Sequence, residues 1–120
     1  MDERLKKALD FSNYMVTLNN QKRVLKEKFF ENRIYYYNGG QFSVTKELLS
    51  FVGLLCEKGD TTNIPIIDDN DVPVRIPDLN VFFDDIMDVY FQSSNEYHTE
   101  YEKIRTKRKV SGLVDYDEDK

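Results

Sequence analysis

The chain has 120 residues, 40% hydrophobic and 32% charged, with eight Tyr, eight Phe and no Trp, enough for a hydrophobic core without metal or disulfide staples. Its single cysteine, Cys56, excludes an internal disulfide and a cysteine-based zinc cluster, and suits a reducing cytosol. The net charge of −5 is concentrated in residues 60–100, where one Lys/Arg faces ten Asp/Glu, so direct nucleic-acid binding starts at a disadvantage.

The first element is a helix from about residue 3 to 30, uninterrupted by Gly or Pro and opened by Asp2 and Glu3 at its positive end. Ala8, Phe11, Met15, Leu18, Leu25 and Phe29 recur at steps of three and four, broken by Lys22, and so share one face. A second row, Leu5, Leu9 and Val16, predicts contact with more than one neighbour.

Arg33 to Tyr37 and Gln41 to Val44 flank Asn38-Gly39-Gly40, a hairpin signal because Gly supplies the positive φ that a tight turn needs. The same glycines match neither a P-loop nor a dinucleotide fingerprint. Thr45 then caps a short helix, Lys46 to Lys58, whose Leu48, Leu49, Phe51, Val52, Leu54 and Leu55 leave little polar face; Gly59 ends it. Such a helix is expected at the centre, with Cys56 as apolar filler. A second hairpin pairs Ile64-Pro65-Ile66-Ile67 with Val72 to Ile76 around Asp68-Asp69-Asn70-Asp71, and Pro65 and Pro73, which cannot donate to a ladder, make these edge strands or short ones.

Pro77 and Asp78 open the last helix, expected to reach about Val110 as a rod of roughly 50 Å. Its stripe runs Leu79, Phe83, Ile86, Tyr90, Ser93, Tyr97 and Ile104, with Glu100 as the break. Ser111-Gly112 should stop it. The expected fold is therefore α+β and helix-dominated, in the order α-ββ-α-ββ-α. Two long antiparallel helices bracket two short hairpins and a short buried helix, with residues 1–112 as one domain and 113–120 as an acidic tail. Antiparallel packing would bring Asp78 to Asp88 to Lys22, Arg23, Lys26, Lys28 and Arg33, and Lys103 to Lys109 to Asp2, Glu3 and Asp10.

No catalytic constellation emerges. The turn Asp68 to Asp71 lacks the Gly and Glu that a calcium loop places at its sixth and twelfth positions, where Pro73 and Leu79 stand, and reads as a solvated turn. His98, the lone histidine, has Glu96, Glu100 and Glu102 nearby but no second strong metal ligand. Ser12, Ser43, Ser50, Ser93, Ser94 and Ser111 have no nucleophile-elbow context. Asp84, Asp85 and Asp88 read as an outward acidic arc. The expectation is a non-enzyme with no cofactor and no bound metal. Its aromatic groups exceed what one small core buries, which marks Tyr35, Tyr36, Tyr37, Tyr97, Tyr101 and Tyr116 as protein-interface candidates. Long helices with a second apolar row also predict self-association.

The phrases Thr17-Leu18-Asn19-Asn20-Gln21, Tyr36-Tyr37-Asn38-Gly39-Gly40-Gln41-Phe42 and Ser94-Asn95-Glu96-Tyr97 resemble the small, mostly uncharacterised proteins of contractile-tailed marine phages, especially those infecting cyanobacteria. That resemblance implies a protein of the infected bacterial cytoplasm or the virion, serving particle structure, assembly or host control. Its partners would be copies of itself or other phage or host proteins, with no membrane. The alternative is an acidic regulator that occupies a nucleic-acid-binding surface, using Asp84, Asp85, Asp88 and the Asp68 to Asp71 turn as phosphate substitutes.

Overall fold

A computed structural model describes the backbone from Asp2 to Glu118 and the side chains as far as Thr106. The element order is α1 (Glu3–Asn32), β1 (Ile34–Tyr37), β2 (Gly40–Ser43), α2 (Lys46–Lys58), β3 (Thr62–Ile67), β4 (Pro73–Asp78) and α3 (Leu79–Glu118). This is the helix-dominated α+β order read from the sequence. The chain divides into two compact units, Met1–Lys28 with Glu96–Lys120, and Phe29–Asn95.

The core of the 29–95 unit is formed by Phe42, Val44, Val52, Ile66, Val74, Ile76, Leu79, Phe82 and Ile86. Alternation along the strands delivers Phe42, Ile66, Val74 and Ile76 to one side, and the first turns of α3 add Leu79, Phe82 and Ile86. Phe82 is the aromatic hub, edge-on to Phe42 at 5.3 Å and to Tyr37 at 5.5 Å between ring centroids. Two separate two-stranded antiparallel sheets, β1-β2 and β3-β4, frame this core. With only two strands per sheet every strand is an edge, so Pro65 and Pro73 are accommodated.

In the first hairpin Asn38 and Gly39 both have positive φ, 45° and 77°, the requirement of a two-residue type I′ turn. Gly40 belongs to β2 and is buried for a different reason: a Cβ there would lie 2.5 Å from Val74 Cγ2. In α2 the Thr45 hydroxyl accepts the Leu48 N–H and Gly59 closes the end in the left-handed region. The helix is enclosed on one side only. Val52 is buried and Leu48, Leu49, Leu55 and Cys56 are partly so, whereas Phe51 and Leu54 face outward.

Asp78, the last residue of β4, opens α3 as its cap, its carboxylate accepting the Asn80 and Val81 N–H groups, whereas Pro77 remains within the strand. Ser93 is buried in the stripe because its hydroxyl donates to the Asn32 carbonyl, satisfying an acceptor at the end of α1. At its other end α3 continues past Ser111 and Gly112 to Glu118. A single glycine weakens a helix by about 1 kcal/mol without having to end it. The side chains of the expected acidic tail, 113–120, lie outside the described residues.

In the other unit, Lys22 lies 5.6 Å over the Tyr101 ring and Lys28 pairs with Glu96 at 3.0 Å. Numbers rise along α1 as they fall along α3, so the two helices run antiparallel there. Along α1 as a whole, whose last residues from Phe29 belong to the 29–95 unit, Leu18 is the one residue that is buried; Met15, Leu25 and Phe29 are half-buried, and Phe11 is exposed.

Candidate functional site

The acidic turn between β3 and β4 is more than a solvated loop, which corrects the sequence reading. Asp68 is only 7% exposed. Its Oδ1 accepts the Asn70 and Val72 N–H groups at 2.9 and 2.8 Å, and its Oδ2 accepts the Gln41 N–H at 3.1 Å. Asp69 donates its own N–H to the Gln41 carbonyl at 2.8 Å, while its carboxylate accepts the Ser43 N–H and hydroxyl and the Gln41 amide. Gln41 and Ser43 are the residues whose backbone groups face away from β1, so two aspartates close the outer edge of β2. Hydrogen bonds from Val72 and Gln41 hold the Asp68 carboxyl below its usual range, outweighing the opposite push of burial, with Asn70 adding to them. Sequence could not pair residues 68–69 with 41–43, since the contact joins two hairpins separated by a helix.

The predicted charge arrangement along the long helices is corrected. Arg23 pairs with Glu27 within its own helix. Lys28 meets Glu96, a partnership that raises its pKa through the hydrogen bond and charge of Glu96. Arg33 lies over Phe29 and Phe30, 4.4 and 4.7 Å from the ring centroids, and reaches the Val44 carbonyl. Asp2 caps α1 through the Arg4 N–H rather than meeting a distant cation. Lys103 and Arg105 pair with Glu100 and Glu102 one turn away. Apart from Lys28–Glu96 and Arg33–Val44, these are short intrahelical or capping contacts, which order fewer groups than a match along two rods would. Lys107 to Lys109 lie outside the described side chains.

Of the interface candidates, Tyr35 and Tyr37 turn inward against Phe82, so not all three hairpin rings are offered to a partner. The Tyr35 hydroxyl donates to Asp85 at 3.1 Å, and burial, then Asp85, pushes its pKa up. Tyr36, on the opposite side of the strand, is 69% exposed. Tyr97 and Tyr101 are half-buried and edge-to-face at 6.2 Å. Tyr116 lies outside the described side chains. Close by in the same unit, Thr17, Asn20, Gln21, Val24, Leu25 and Ile104 line an open groove of about 420 Å³.

His98 is exposed, with Glu102 at 4.0 Å, while Glu96 and Glu100 are engaged by Lys28 and Lys103. Asp84 and Asp88 are exposed, and Asp85 receives the Tyr35 hydroxyl. The Cys56 thiol points to the Leu79 carbonyl, and burial, reinforced by Asp78 and Asp84, raises its pKa and keeps it a thiol. No group of three or more metal-binding side chains converges among the described residues, and no described helix is long and apolar enough to cross a membrane. Comparison with known protein families, curated proteins and solved structures finds no match to this chain.

Proposed function

We propose that the chain works by protein–protein contact, as a non-enzymatic structural or assembly component of a phage particle. The observation that carries the contact reading is the set of large apolar side chains on outward helix faces: Leu5, Leu9 and Val16 on α1, and Phe51 and Leu54 on α2, each about half exposed. Apolar groups in rows on a helix suit burial against a partner. The groups with perturbed pKa values owe the shift to the fold itself, Lys28 to Glu96, Asp68 to backbone N–H groups, and Tyr35 and Cys56 first to burial, which fits a scaffold role. The phage assignment rests on the sequence resemblance alone.

Mass spectrometry of purified particles from infected cells tests this reading. Stoichiometric presence of the chain supports a structural component, and co-purification with assembly intermediates alone supports an assembly factor. Free chain with no bound protein in either fraction overturns it. The acidic-regulator alternative draws on the 29–95 unit, which holds eleven Asp/Glu against four Lys/Arg. With Asp68 and Asp69 turned to β2 and Asp85 to Tyr35, the phosphate-like set shrinks to Asp71, Asp84 and Asp88. Capture of a nucleic-acid-binding protein, released by Asp84→Asn/Asp88→Asn, would favour it.

A further inference from the structure

The outward face of α2 reads Glu47, Phe51, Leu54, Lys58, at steps of four, three and four, so the four side chains form one row along the helix. The opposite face is committed to the core through Leu48, Val52, Leu55 and Cys56. Phe51 is 52% exposed and Leu54 50%. Among the described residues neither Glu47 nor Lys58 enters an ion pair.

The row is complementary to itself when reversed. Glu47 and Lys58 lie equally far from its midpoint, as do Phe51 and Leu54. Two copies laid antiparallel across a twofold axis therefore set Phe51 against the partner's Leu54 and Glu47 against the partner's Lys58, each contact occurring twice. Antiparallel helices also oppose their dipoles favourably. A parallel arrangement would set Glu against Glu and Lys against Lys. Charge complementarity thus selects both the occupant and its direction.

We propose that the outward face of α2 is a homodimer contact, in which a second copy of this chain packs antiparallel through Phe51 and Leu54 and is registered by Glu47–Lys58 pairs. The inference deepens the protein-contact reading by naming one partner. The exposed parts of Phe51 and Leu54 offer on the order of 200 Å² of apolar surface per copy. A stable specific interface buries over about 1,000 Å² in total, so the dimer is weak and reversible, with half-association on the order of 0.1 mM.

Sedimentation of the full chain across about 10 µM to about 1 mM tests it. Wild type should shift reversibly from monomer to dimer. Glu47→Lys and Lys58→Glu each place like charges opposite one another and should weaken association about fivefold or more. An equimolar mixture of the two variants restores every opposite-charge pair and should dimerise at least as well as wild type. Circular dichroism verifies that each variant folds, and the mixture itself shows that both are competent. A wild type that stays monomeric throughout, single variants that dimerise like wild type, or a mixture that behaves like its components would each overturn the proposal. A monomer would leave a foreign partner for the chain intact. Absence from particles and assembly intermediates would sink the functional reading while leaving this dimer standing.

Discussion

At the scale of single residues, Gly40 and Asp68 show how much depends on the place where the two hairpins meet. A methyl group at Gly40 would collide with Val74, a buried β-branched side chain with little rotamer freedom, and would also crowd the Tyr37 carbonyl at 3.2 Å. Gly40→Ala should therefore destabilise the fold by about 1–3 kcal/mol, read as a lower urea midpoint. Asp68 carries a pH signature. Its folded-state pKa is depressed, so its contribution is fully present above the unfolded value near pH 4 and is lost as pH falls through the folded value. Thermal denaturation from pH 7 to pH 2 should show Asp68→Asn less stable at neutral pH. The gap to wild type should close progressively below about pH 4. A gap that stays constant across that range would show that the carboxylate's charge is irrelevant to the turn.

At the scale of elements, capping decides where helices begin more firmly than proline does. Thr45 and Asp78 each supply an acceptor to the first N–H groups of the following helix, although Pro77 offered an earlier start for α3. Thr45→Ala should cost about 1 kcal/mol by chemical denaturation, because the Leu48 N–H then loses its partner. The hairpins illustrate a second rule. A two-stranded sheet leaves both edges open, and here one edge of β2 is closed by side chains rather than by a third strand.

At the scale of the whole molecule, burial among the described residues is uneven between the two compact units. Nine apolar residues form the buried core of the 29–95 unit, whereas α1 as a whole buries Leu18 alone. Amide hydrogen exchange should reflect this difference. Backbone amides of Phe42, Val52, Ile76 and Ile86 should be the slowest, and those of residues 3–16 should exchange early. Equal protection along α1 and in the core would show that the first helix is covered in solution, as self-association or a partner would require.

The sequence alone determined the order of elements, the Asn38-Gly39 turn, the Thr45 and Gly59 caps and most of the buried stripe of α3. Each of these is local: a period of 3.6, a need for positive φ or a hydroxyl at a helix start acts within a few residues. Phe82, in the core, stands between Leu79 and Ile86 at steps of three and four, so periodicity alone places it there beside Phe83 of the predicted stripe. Tertiary structure alone decided that Asp68 and Asp69 serve β2, that Tyr35 and Tyr37 face inward while Tyr36 does not, and that Lys28 meets Glu96. Those outcomes join residues more than twenty positions apart, or depend on which side of a short strand meets the core. Neither composition nor periodicity encodes such pairings, because many partners of equal chemistry compete until packing fixes their distance.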